Sequence, residues 1–128
     1  MTSRRLISSG SPFEATAGYS RAVIVGDMAF VAGTTGYDYA TMTMPDGVGA
    51  QTANALATIG RTLDEADFKL SDVVRATYYV TDMDDADAVF RETAKVFANV
   101  RPAATIVEVA RLLKPEMKVE IEVTAKRG

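Results

Sequence analysis

Over residues 49 to 97 the hydrophobic spacing changes twice, and those changes limit the folds open to the chain. From Gly49 to Ala66, the residues Ala53, Leu56, Ile59 or Gly60, Leu63 and Ala66 recur at three and four positions, which places one narrow apolar stripe on a helix. The segment "SDVVRATYYVTD" then sets β-branched and aromatic residues over about eight consecutive positions, the pattern of a strand with apolar side chains on both faces. In "DMDDADAVFRETAKVFANV" the helical spacing returns. Asp82 is placed to cap this second helix, the other aspartates suit the positive end of its dipole, and Ala86, Val89, Phe90, Ala94 and Phe97 form its stripe. Pro102 ends it.

The flanking segments read as strands. Leu6 and Ile7 suggest a short first strand, and "SSGSPFEATAGYS" reads as a loop because of its glycine, serine and proline content. "RAVIVGDMAFVAG" is a hairpin signal, with apolar runs Ala22 to Val25 and Met28 to Ala32 separated by Gly26-Asp27. After the loop "GTTGYDYATMTMPDGVG" and the two helices, "RPAATIVEVARLLKPEMKVEIEVTAKRG" reads as a second hairpin with Lys114-Pro115-Glu116 at its turn. On the last arm Val119, Ile121, Val123 and Ala125 face one way, and Lys118, Glu120, Glu122 and Thr124 the other. The order β-β-α-β-α-β-β makes residues 1–128 a single α+β domain, a mixed sheet with two helices on one face. Two narrow stripes cover one face only, yet the strands at 73 to 80 and 104 to 110 are apolar on both. The remaining cover is expected to be another copy of the chain, and pockets form where subunits meet.

Composition removes several functions. The 128 residues carry 14 basic and 17 acidic side chains, a net charge of -3, so the overall field repels polyanions and a nucleic-acid partner is not expected. There is no cysteine and no histidine, which excludes disulfides, thiolate nucleophiles, serine–histidine relays and the commonest metal ligands. "MTSRRLISSGSPF" lacks the apolar run of a signal peptide, and no segment approaches the ~20 apolar residues of a membrane span. A cytoplasmic protein with no membrane partner is expected.

Apparent motifs dissolve on inspection. "GVGAQT" at 47 to 52 lacks the third glycine of a dinucleotide fingerprint and follows a Pro-Asp turn, not a strand. "DMDDADAVFRE" has Asp87 where a calcium loop needs glycine and Thr93 where it needs glutamate, so helix capping accounts for its acids. Two carboxylates remain. Glu108 stands within an apolar strand and is expected to be held by a neighbouring lysine or arginine, whereas Glu120 stands on a polar stripe and by alternation alone would face water. Tyr19, Tyr78 and Tyr79 offer hydroxyls, the last two being expected in the core.

The segment "RPAATIVEVARLLKPEMKVEIEVTA" resembles the C-terminal signature of the RidA family, also called YjgF or L-PSP, with its Pro-Ala-Arg-Ser, Val-Glu-Val-Ala-Arg-Leu and Glu-Ile-Glu elements. "GYS" at 18 to 20 is similar to the family's Gly-Pro-Tyr-Ser site, and "FVAGTTG" at 30 to 36 to its Ser-Gly-Gln strand end. The resemblance implies a chorismate-mutase-like fold, a homotrimeric barrel and a cofactor-free, metal-free pocket in each intersubunit cleft. That pocket would take a small-molecule substrate, a reactive imine or enamine, and release ammonia. Glu120 and Tyr19 fall at the catalytic positions, and Arg21, Gly33, Thr34, Ala104 and Thr105 at the substrate-binding ones. Ala104 stands where the family's carboxylate-gripping arginine belongs and Ala32 where serine is frequent. The implied activity is therefore on something other than a simple 2-imino acid, with a non-catalytic binding or regulatory trimer as the alternative. Arg21, beside the tyrosine, is the replacement cation expected to serve better than Arg101, which alternation from Ala104 would put on the opposite strand face. The ribonuclease suggested by the family's older name does not suit an acidic chain without histidine.

Overall fold

The computed structural model describes residues 3–128. Its six strands are β1 Arg4–Ile7, β2 Ala22–Val25, β3 Met28–Thr34, β4 Val73–Val80, β5 Ala103–Glu108 and β6 Val119–Lys126. They form one sheet in the order β1-β2-β3-β6-β4-β5. Only β4 and β5 run parallel. The turn Gly26-Asp27 closes the β2–β3 hairpin as expected, with Gly26 at φ 59°, a conformation glycine adopts without steric penalty.

Among the described residues three α-helices accompany the sheet: α1 Pro12–Ala17, α2 Val48–Glu65 and α3 Ala86–Phe97. Leu56, Ile59 and Leu63 of α2 and Val89 and Phe97 of α3 share one core with Val31, Ala76, Tyr78, Val80, Ile121 and Val123 of the sheet. Each fully buried aliphatic side chain here stabilises the fold by about 2 kcal/mol through removal from water. The mixed α+β sheet with α2 and α3 on one face matches the sequence reading.

Several details differ from that reading. The last two strands are not a hairpin: β5 pairs with β4, and β6 crosses to lie between β3 and β4. Both read as strands joined by a turn-rich segment, and local pattern does not distinguish adjacent from separated partners. Residues 12 to 17 are helical, not a loop. Ser11 accepts a hydrogen bond from the Phe13 N–H, Pro12 opens the helix, and Gly18 closes it at φ 78°. Serine, proline and glycine are here the start and stop signals of a short helix.

The helix faces also shift. Ala53 is exposed, and the buried face of α2 includes Gln51, Thr52, Ala55, Thr58 and Thr62. The threonines fit because Thr52 and Thr62 donate to the Val48 and Thr58 carbonyls, both at 2.8 Å. Gln51 is wholly buried, donating to the Pro45 and Glu116 carbonyls and accepting from the Lys118 N–H, and so pins the segment before β6 to α2. On α3, Phe90 and Ala94 stand exposed at the edge over β5 instead of in the stripe. Asp82 does cap, accepting from the Asp84 N–H at 2.9 Å, but it caps the single turn Met83–Asp85 that precedes α3.

Candidate functional site

The site begins at an irregularity in β3. Register runs Val31↔Val123 and then Thr34↔Ile121, so β3 has one residue more than β6 between the pairs, a β-bulge. Gly33 lies in it, and a Cβ built there would come 2.6 Å from Glu120 Oε1 and 2.8 Å from Glu120 Cδ. Its φ lies outside the left-handed region, so it is the carboxylate lying against it that requires glycine.

Beneath the bulge runs a buried polar chain. Arg21 is 1 % exposed; its Nη1 donates to the Gly33 carbonyl at 2.8 Å and to Thr34 Oγ1 at 3.0 Å. Thr34 Oγ1 in turn donates to the Ala32 carbonyl at 2.8 Å. The guanidinium lies 4.8 Å from the Tyr39 ring centre and 5.7 Å from that of Tyr19, and Nη2 is 3.5 Å from the Tyr19 hydroxyl. Behind it, Arg21 Nε is 3.8 Å from Glu14 Oε2 and has no hydrogen-bond partner. Burial opposes ionisation of Glu14, but hydrogen bonds from the Ser9 hydroxyl and N–H, with Arg21 alongside, hold its carboxyl below the ordinary range. A buried cation is thus matched to a buried anion, which its own desolvation requires.

Glu120 responds to these neighbours. Burial pushes its carboxyl above the ordinary carboxylate range; Arg21 pulls it part of the way back, and Glu122 pushes it further up. A carboxylate with a raised pKa can take a proton from water and return it, the property required of a general base that later acts as an acid. Burial raises the Tyr19 phenol, an effect Arg21 opposes, so Tyr19 is a neutral hydroxyl near neutral pH. Glu122 is occupied, accepting from the Tyr79 hydroxyl.

Five of the sequence-derived site residues therefore gather in one place: Tyr19, Arg21, Gly33, Thr34 and Glu120. Ala104 and Thr105 do not join them. They lie on β5, two strands from β6 and so about 10 Å across the sheet. Ala104 pairs with core-facing Ala76, whereas Glu120 pairs with Tyr79 on the opposite face. Thr105 pairs with Thr77 and shares the face of Glu120. Glu108 is held, as expected, though not by a cation: it accepts from the Met83 N–H at 2.8 Å in an exposed setting. Tyr78 is in the core as expected, and Tyr79 is only partly buried, with its hydroxyl on Glu122. Glu14 and Tyr39 were not anticipated. Ser11-x-x-Glu14 has the spacing of a capping box, the one local signal that could have drawn attention to Glu14.

The face that α2 and α3 leave open is apolar at its ends and polar along its middle. Leu6 on β1 and Val107 on β5 are exposed at the ends, while Arg75, Thr77, Tyr79, Glu120, Glu122 and Thr124 occupy the centre, with exposed Phe30 of β3 beside Thr124. No helix of the described residues is long and apolar enough to cross a membrane, and among them no group of three or more candidate ligands is arranged to hold a metal ion.

A two-helix layer on one face of a six-stranded mixed sheet, with a glutamate packed on a bulge glycine of the other, defines a small α+β protein of known type. A family profile described as "Endoribonuclease L-PSP" matches residues 9–127. A Mycobacterium tuberculosis member of the YjgF/YER057c/UK114 family has a crystal structure 43% identical in sequence, with a TM-score of 0.90, covering 98% of this chain and 100% of that one. The YjgF gene product of E. coli is 30% identical at a TM-score of 0.87, covering 97% and 99%. A Capra hircus protein named 2-iminobutanoate/2-iminopropanoate deaminase is 35% identical over 126 residues, 98% of this chain and 91% of that protein. The chain belongs to the RidA/YjgF/L-PSP family.

Proposed function

We propose that the protein is a cofactor-free hydrolase of a reactive imine or enamine, working in a cleft between copies of the chain in a homotrimer. The observation that carries this reading is Glu120, half-buried on Gly33 with its carboxyl pushed above the ordinary range and Arg21 behind it. An iminium carbon is already electrophilic, so catalysis needs a placed water and modest proton transfer. Glu120 takes a proton from water as its oxygen bonds to the C=N carbon. It then returns that proton to nitrogen; as the C–N bond breaks, the hydroxyl oxygen forms the C=O bond and gives up its proton to the freed carboxylate, leaving a carbonyl compound and ammonia. The similarity to a chain named 2-iminobutanoate/2-iminopropanoate deaminase supports the reaction class. Ala104 argues against 2-imino acids as the substrate, because a methyl group cannot hold a carboxylate.

The opposite facing of Ala104 and Glu120 supports the intersubunit cleft. No single copy presents both to one ligand, so a site using both takes Glu120 from one copy and the end of β5 from another. A cytoplasmic setting suits this reading, since pyridoxal-phosphate enzymes there release such imines.

The test is ammonia release from a panel of neutral and acidic enamines, with Glu120→Ala as control. Equal turnover by variant and parent removes Glu120 from the mechanism. Light scattering that finds single chains at micromolar concentration removes the intersubunit cleft. Ala104 also favours a second reading, a small-molecule-binding regulatory trimer without catalysis. Ligand-induced thermal shifts without ammonia release from any enamine would select it.

A further inference from the structure

Beside Ala104 is a recess of about 360 Å³, lined in part by Tyr78, Phe90, Phe97 and Pro102. Its volume is within the usual range for small-molecule sites. Phe90 is 43% exposed, an aromatic ring left over this space instead of packed in the core. Arg101 also lines it.

Arg101 is unusual in its backbone. It follows α3, its N–H closing on the Phe97 carbonyl at 2.8 Å, and has φ 55°. This is the left-handed position after a helix, where glycine is most common and asparagine next. Pro102 follows, which restricts Arg101 further. A bulky side chain thus occupies a position whose backbone favours having none. Among the described residues, the Arg101 side chain has no ion pair or hydrogen bond, and no acidic side chain lines the recess. Because Arg101 precedes the strand, the alternation that would have put it on the face opposite Ala104 does not apply, and both residues line one space.

We propose that Arg101 anchors the acidic group of a ligand whose apolar part fills the recess against Phe90 and Ala104. Arg101 is exposed and lines the recess three residues before Ala104, at most about 10 Å from it along the chain. A carboxylate held there is displaced from the place an arginine at position 104 would give it. The ligand class is then an acid with a carbon spacer between its carboxylate and the carbon that reacts, in contrast to a 2-imino acid, where the two are adjacent. This rests on the hydrolase reading for the identity of the reacting carbon; the anchoring itself is a matter of binding.

Calorimetry on the full chain, with phenylacetate and neutral phenylacetamide as probes, tests it. Parent protein should bind phenylacetate about tenfold or more tightly than the amide, as a charge-assisted contact implies. Arg101→Gly should erase that preference while melting no lower than the parent, since glycine relieves the left-handed backbone. Should the glycine variant melt early, Arg101→Asn, which also tolerates this conformation, takes its place in the comparison. Equal binding of the two probes by the parent, no binding of either, or a preference that survives in the variants overturns the proposal. Failure of ammonia release from every enamine, with the Arg101-dependent preference intact, would sink the hydrolase reading and leave the anchor standing.

Discussion

Substituting Gly33→Ala separates the glycine's role in the site from its role in the fold. The added methyl would begin 2.6 Å from Glu120 Oε1, while ordinary contact begins near 3.4 Å, so the carboxylate must withdraw by about 0.8 Å. The obstacle is the end of a flexible side chain, and Gly33 has no left-handed φ to lose. Overpacking of this kind costs about 1 kcal/mol, and alanine recovers about 0.7 kcal/mol by restricting the unfolded chain. The melting temperature should therefore stay within about 4 °C of the parent. A displacement near 1 Å can lower turnover about 100-fold. The displacement can also be read without a substrate, by NMR titration of the carboxyl carbons. Burial is the largest cause of the raised Glu120 pKa, so a carboxylate moved toward water should titrate lower than in the parent, closer to 4.5. A Glu120 titration unchanged in Gly33→Ala, with parental turnover, would refute the claim that this contact sets the carboxylate's place. A collapse of the melting temperature by far more than 4 °C would refute the estimate that only a side chain yields.

Further tests follow from the same geometry. Glu120 has a folded pKa above its unfolded value, so the native state binds more protons between the two, and burial of the charged form lowers stability as pH rises through that window. Glu120→Gln should therefore gain stability over the parent above the folded pKa, with the gain vanishing below the unfolded value near 4.5, as paired thermal melts across pH would show. Arg21→Met leaves Glu14 buried without its cation and the Gly33 carbonyl without its donor, and should cost about 3 kcal/mol in urea unfolding. Gln51→Leu removes partners from the Pro45 and Glu116 carbonyls and the Lys118 N–H, with an expected loss of about 3 kcal/mol and an unchanged m-value. Ala104→Arg should create ammonia release from 2-imino acids; no gain would show that more than this guanidinium separates the chain from such activity.

What could be read from sequence was whatever a local period determines. Leu56, Ile59, Leu63, Val89 and Phe97 were legible as core because three- and four-residue spacing needs no knowledge of the partner. Alternation likewise set Val119, Ile121, Val123 and Ala125 against Glu120 and Glu122. The neighbours of β6 could not be read, because alternation says which way a side chain faces and nothing about which strand lies beside it. By alternation alone Glu120 is therefore a solvated residue on a polar stripe, and only the family resemblance puts it in a site. Its half-buried state comes from β3, whose extra residue at Gly33 brings backbone against it, and a bulge leaves no period in the sequence. Arg21 is legible as a cation beside a tyrosine; its commitment to Gly33, Thr34 and Glu14 depends on α1, whose serine, proline and glycine suit a loop equally well.

The opposite facing of Ala104 and Glu120 gives the proposed oligomer a second argument. The sequence argument for a partner was a shortage of cover, and the polar middle of the open face weakens it: Arg75, Thr77, Glu122 and Thr124 need no apolar neighbour. The facing argument does not depend on apolar area. β4 lies between β6 and β5 and relates them by register: Tyr79 opposes Glu120, while Ala76, three residues earlier and on the other face, opposes Ala104. The sheet therefore turns the two positions to opposite faces, away from any one ligand. A chain acting alone could use Glu120 with Tyr19 or the recess with Arg101, but not both. If Glu120 chemistry and Arg101 binding prove to act on one molecule, two copies must meet there, and mixing Glu120→Gln with Arg101→Gly chains should restore activity that each variant alone lacks.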